Sequence, residues 1–71
     1  MKILLQDRQK IVEMPKEIWI TQVCNRYLII GTAYITPTLG DYETEQRAKE
    51  VLHQIFEYYR NGKNSYVMPE Q

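Results

Sequence analysis

A single helix is all this chain has with which to cover its strands. From Ala48 the apolar residues fall at Ala48, Val51, Leu52, Ile55, Phe56 and Tyr59, the three-and-four spacing of one helical face. Glu45, Lys49, Glu50, His53, Gln54, Glu57 and Arg60 occupy the remaining positions as a solvated face. Thr44 suits the N-cap, and Glu45 lies in the first turn at the positive end of the helix dipole. Glu45 and Lys49 stand four apart in the favourable order. Asn61-Gly62 then offers a residue able to take the left-handed conformation that ends helices. The pattern predicts a helix over residues 44–60.

Before the helix the chain reads as strands. Residues 2–6 and 10–14 alternate in part and are joined by Asp7-Arg8-Gln9, with Pro15 ending the second, which predicts a first hairpin. Residues 17–23 and 27–35 are rich in β-branched and aromatic residues and are joined around Cys24-Asn25-Arg26, a second hairpin in which Asn25 is the residue suited to positive φ. Residues 36–41 read as a loop, and residues 65–68 as a last strand stopped by Pro69. The expected fold is α+β: one domain over residues 1–71, in the order β-β-β-β-α-β, with a small antiparallel or mixed sheet of about five strands and one amphipathic helix packed on one face.

This arrangement leaves a conflict. The two long strands are apolar on both faces, with Ile18 and Ile20 against Trp19 and Val23 on one, and Ile29, Ala33 and Ile35 against Leu28, Ile30 and Tyr34 on the other. One helix covers one face. An uncovered apolar face marks an interaction site, and a two-fold oligomer would bury Trp19, Leu28, Ile30 and Tyr34 between subunits. The alternative is that the sheet twists enough for the amino-terminal hairpin and the 36–41 loop to cover them. A chain of 71 residues buries only about 60% of its unfolded surface. Cys24, the one cysteine, cannot form an internal disulfide, and one Cys with one His cannot close a zinc site, so association is a reasonable source of added stability.

Nine basic residues balance nine acidic ones and are spread along the chain, which speaks against nucleic-acid binding. Three apolar residues at the start are too few for a signal peptide, no run approaches a membrane span, and an unpaired cysteine fits a reducing compartment. A cytoplasmic protein with no membrane partner is expected. His53 falls on the polar helix face and Cys24 at a turn, so no nucleophile pair is indicated and no catalytic residue is assigned. No carboxylate cluster resembles a metal cage and no glycine-rich phosphate loop occurs, so neither metal nor cofactor is expected. Gly31 inside a strong strand implies a bulge or a close approach. Among six tyrosines, Tyr59 and Tyr66 are expected in the core, while Tyr34, Tyr42 and Tyr58 are free to face a partner. Tyr34, Thr36 and Thr38, with Arg26 and Arg8 as phosphate donors, form the candidate edge for a small ligand.

Met1-Lys2-Ile3 with Gln6-Asp7, the helix start Tyr42 to Ala48, the stretch Lys49 to Leu52 and the ending Tyr66-Val67-Met68-Pro69 together resemble a group of small uncharacterised open reading frames carried by phages and prophages of Gram-positive bacteria. The resemblance implies a phage accessory protein acting in the bacterial cytoplasm, of the counter-defence kind. It supplies no site residues. Two functions follow as expectations: an oligomer that sequesters a small nucleotide-like ligand, or an inhibitor that binds a host protein through the exposed sheet face or edge.

Overall fold

The computed structural model describes residues 1–32 and 37–71. The fold is α+β, with six strands and one helix: β1 (Lys2–Leu4), β2 (Ile11–Glu13), β3 (Ile18–Val23), β4 (Arg26–Gly31), β5 (Thr38–Tyr42), α1 (Glu45–Arg60) and β6 (Ser65–Val67). In place of one sheet there are two, each of three strands. The order is β2-β1-β6 in the first, with β1 antiparallel to β2 and parallel to β6; it is β3-β4-β5 in the second, all antiparallel. The strand missed by sequence reasoning is β5. Its Thr-Leu-Gly-Asp-Tyr has the composition of a loop, and it pairs with β4 through a register shift beside Ile29 that leaves Leu39 unpaired and fully buried. The predicted 27–35 strand ends at Gly31, Thr32 follows it outside the strand, and residues 33–35 lie outside the described residues.

The two sheets are joined at a corner. Gln6 donates its backbone N–H to the Leu39 carbonyl, while its side-chain amide donates to the Asp41 carbonyl (2.9 Å) and accepts from the Asp41 N–H (2.7 Å). One glutamine thus forms three bonds along β5, as a further strand would. The helix starts as its caps dictate, with the Thr44 hydroxyl accepting from the Arg47 N–H at 3.1 Å. At its end Asn61 has φ −89° and Gly62 takes the left-handed conformation at φ 72°. Ala48, Val51 and Ile55 pack into a core with Ile3, Leu5, Ile29, Leu39, Tyr42, Tyr66 and Met68.

Three expectations about side chains are corrected. Tyr59, assigned to the core, is 55% exposed, and Phe56 is equally so, because the stripe is wider than the strip of sheet beneath it. Tyr42, expected to face a partner, is 1% exposed and donates its hydroxyl to the Pro69 carbonyl at 2.8 Å. In the hairpin β3–β4 the positive φ falls on Cys24 (56°), the first central residue, and not on Asn25. Positive φ at the first central position alone is the II′ pattern, which favours glycine there. Tyr66 is core as expected, and the Gly31 close approach comes from Pro15, whose Cγ would lie 2.6 Å from an added Cβ.

The Cys24 turn carries a direct test. Cys24→Gly is expected to raise stability by about 0.5–1 kcal/mol, because glycine removes the left-handed penalty at a position that is exposed and otherwise unconstrained. Chemical denaturation of the two proteins measures it; a loss of stability would show that the cysteine side chain contributes more than its backbone costs.

Candidate functional site

Register divides the β3-β4-β5 sheet into two faces. Ile20 lies opposite Ile29, and both point to the helix with Ile18 and Tyr27. On the other face Trp19 lies opposite Ile30, Thr21 opposite Leu28 and Val23 opposite Arg26, and β5 continues the rows with Thr38 beside Ile30 and Asp41 beside Leu28. Alternation along each strand forces this split. None of Trp19, Val23, Leu28 or Ile30 belongs to the core cluster. Trp19 is 39% and Val23 49% exposed, and Leu28 and Ile30 are half-buried between them. The outer face is therefore an apolar row bordered toward the hairpin turn by the Arg26–Asp41 ion pair, at 2.8 Å. Of the residues expected at an interface, Trp19, Leu28 and Ile30 share this face, whereas Tyr34 lies outside the described residues.

The residues proposed for a small ligand are not assembled in the same way. Tyr34 and Thr36 lie outside the described residues, and Thr38 is exposed at the start of β5. Arg8 is engaged within the chain: its guanidinium donates to the Met68 carbonyl at 2.6 Å and stands 3.6 Å from the Glu70 carboxylate. Arg26 is held by Asp41. A third arginine that sequence reasoning passed over, Arg47, donates to the Gln71 carbonyl at 3.0 Å and lies 3.3 Å from Glu50. Arg26 and Arg47 line an open cleft of about 780 Å³ with Asp41, Glu43, Thr44 and Glu70. Three carboxylates against two guanidiniums make a poor receptor for a phosphate.

The titratable groups follow from these contacts. Burial pushes the Tyr42 phenol well above its ordinary range, the neighbouring Tyr66 adds to this, and Arg47 and Arg8 oppose it. Burial likewise raises Tyr66 to about 12, and its hydroxyl donates to the Gln54 side chain at 2.8 Å. Both phenols are already satisfied, so neither is poised as an acid or base at neutral pH. Glu13 is held below the usual carboxylate range by its hydrogen bond to Lys2 and then by that residue's charge, across the β1–β2 ladder. His53 lies exposed on the helix, 3.8 Å from Glu57, and Cys24 is exposed at its turn. Signals for the arginine cluster were weak in sequence, because Arg47 reads as one more residue of a solvated helix face.

Comparison with protein-family models, with curated proteins and with solved structures finds no match to this chain.

Proposed function

We propose that this chain is a non-catalytic binding protein that docks a partner protein on the outer face of its β3-β4-β5 sheet. One observation carries the reading: Trp19, Val23, Leu28 and Ile30 form a row outside the core, on the face opposite the helix. Sheet surfaces with an exposed aromatic residue and a charged border suit protein partners, whose interfaces concentrate affinity in a few buried aromatic and arginine side chains. Arg26, half-exposed beside the row, is placed for that second role. The resemblance of the termini and helix to phage and prophage reading frames supports a bacterial host protein as the target and counter-defence as the purpose.

A second reading, sequestration of a nucleotide-like ligand, draws on the gathering of Arg8, Arg26 and Arg47 around the carboxy-terminal residues and Asp41. It requires the Glu70 and Asp41 carboxylates to yield to a phosphate, which makes it the weaker of the two. The readings separate in one experiment. Tagged protein and an Ile30→Asp variant are passed over lysate of a Gram-positive host, and the same proteins are titrated by calorimetry with cyclic dinucleotides and ADP-ribose derivatives. The expected result is one host protein retained by the parent chain and at least tenfold less by Ile30→Asp, since a buried carboxylate without a partner costs more than the 1.4 kcal/mol of a tenfold change. Equal retention by both, or binding of a nucleotide with no protein retained, overturns the docking reading.

A further inference from the structure

The sheet that carries the outer face ends in β3, whose second edge has no backbone partner among the described residues. Natural sheets protect such edges with charge, proline, a bulge, shortness or a covering segment. The other edges show these devices. β5 carries the register shift and is met by Gln6, β2 has three residues and ends on Glu13, and β6 also has three. Edge strand β3 shows none of them: Ile18–Val23 runs six residues as Ile-Trp-Ile-Thr-Gln-Val, without charge, proline or glycine, and keeps regular register with β4 throughout. Where β3 meets the helix an apolar groove of about 250 Å³ opens, lined by Met14, Pro15, Ile18, Leu52 and Phe56 among others.

We propose that β3 pairs antiparallel with β3 of a second copy about a two-fold axis at Thr21, giving one continuous six-stranded sheet. Opposed residues of an antiparallel ladder share a face, so an axis that keeps both helices on one side must pass through a residue position and not between two. The candidates are Ile20 and Thr21. An axis at Thr21 sets Trp19 against the partner's Val23, twice, and Thr21 against the partner's Thr21. Aromatic–β-branched and threonine pairs of this kind stabilise antiparallel ladders. They also cover Trp19 and Val23, the two exposed large apolar side chains of the strand. An axis at Ile20 leaves Val23 bare. On the inner side Ile20 meets the partner's Gln22, beside the groove that holds Phe56. The strand is a suitable partner for itself because it brings no charge to the dyad, where any charge would face its own copy. The two outer faces then lie side by side on one surface, so the dimer would dock a partner protein bivalently; the pairing itself does not depend on that docking.

The test places charge on the dyad. Thr21 lies on the outer face, so Thr21→Lys and Thr21→Glu leave the core untouched. The parent chain is expected at twice the 8.5 kDa chain mass by light scattering at micromolar concentration. Each charged variant is expected as a monomer with unchanged circular dichroism, and an equimolar mixture of the two is expected to recover the dimer mass. Leu28→Lys, one strand further in on the same face, should stay dimeric, whereas a face-to-face stack of two sheets would be lost in it. Thr21→Cys in a Cys24→Ser background should crosslink to a dimer on mild oxidation, since residues on the dyad lie within disulfide reach. A monomeric parent chain, dimeric single-charge variants, or a dimer lost in Leu28→Lys overturns the proposal. Retention of a host protein, lost in Ile30→Asp, is read separately, so failure of the dimer and failure of the docking face are distinguishable.

Discussion

Gly40→Ala is expected to lower stability by about 2–3 kcal/mol, and Gly40→Val to leave the chain largely unfolded at room temperature. The reason is contact and not backbone conformation. A Cβ on Gly40 would stand 2.7 Å from Tyr42 Cε2, 2.8 Å from the Tyr42 hydroxyl and 2.9 Å from Met68 Cε. Both neighbours are fully buried, and Tyr42 is held at its far end by the bond to Pro69, so neither has space to move into. A domain of this size has a total stability of roughly 4–10 kcal/mol, which makes the alanine loss a sizeable fraction and a thermal shift of about 10–20 °C. The other glycines provide internal controls. Gly31→Ala would press a Cβ on the buried Pro15 ring, 2.6 Å from Cγ and 2.9 Å from Cβ; Gly62→Ala meets nothing within 4 Å and costs only the left-handed φ of 72°, about 1 kcal/mol. Thermal unfolding of the three variants should show large losses for Gly40→Ala and Gly31→Ala and a small one for Gly62→Ala. If Gly40→Ala melts within a few degrees of the parent chain, the packing described around β5 is wrong.

The same glycine links the fold to the cleft. Because Gly40 is bare, the Tyr42 ring can lie over β5 and reach Pro69. That bond is one of several which hold the last residues in place: Met68 N–H donates to the Leu4 carbonyl, Arg8 to Met68, the Gln6 amide to Glu70 and Arg47 to Gln71. The arginines that a ligand hypothesis would assign to phosphate are thus spent on backbone carbonyls and carboxylates of the chain itself. Hydrogen bonds from a charged donor to a carbonyl are among the stronger stabilising contacts, at about 1.5–3 kcal/mol each where they are shielded. Among the described residues the outer face of the β3-β4-β5 sheet is an apolar surface left outside the core, and this moves the functional reading from the cleft to the sheet face.

The helix and the split between faces were legible in the sequence because each rests on a local period. Spacing of 3.6 placed Ala48, Val51 and Ile55 in the core, and alternation separated Ile20 and Ile29 from Trp19, Leu28 and Ile30. Thr44 as N-cap was equally local. Apart from the turn at Cys24, what failed depended on contacts distant in the chain. Strand β5 has weak intrinsic preference for extended structure and exists because β4 and Gln6 hold it from either side; no window of sequence contains both. Tyr42 reads as free to face a partner, yet its hydroxyl is tied to the Pro69 carbonyl, on the far side of the helix in sequence. Arg8 looked free for a ligand for the same reason: its partners Met68 and Glu70 are some sixty positions away. In the outer face, sequence identified the residues but not their use, since an uncovered apolar row is the same string of letters whether it meets a second copy or another protein.

Above pH 10 the two buried tyrosines should lower the stability of the fold. Tyr66 is raised to about 12 by burial, with the neighbouring Tyr58 adding to the shift and Arg47 opposing it, and Tyr42 is raised further still. Both are acids whose folded pKa lies above the unfolded value near 10, so the sign follows directly. Below pH 10 both states keep their protons and these groups give no pH dependence. Above it the unfolded chain releases protons that the folded chain retains, and stability falls with pH until the folded pKa is reached. Each group then contributes up to 1.4 kcal/mol per pH unit. With Tyr42 at 1% and Tyr66 at 4% exposure, solvent does little to screen the effect, and the pair should remove about 3 kcal/mol by pH 11. Urea unfolding at a series of pH values from 8 to 11 measures the slope in the parent chain and in Tyr66→Phe. At pH 8 the variant should be weaker by about 1 kcal/mol, the value of the lost bond to Gln54. Between pH 9 and 11 it should lose about 1.4 kcal/mol less than the parent, because the unfolded variant has one fewer phenol to ionise. Lysine deprotonation is common to both proteins and cancels in the difference. Parallel pH profiles for the two would mean that the Tyr66 phenol ionises as readily folded as unfolded, and that the space between helix and β6, where its ring packs edge-on at 4.9 Å from that of Tyr58, is open to water.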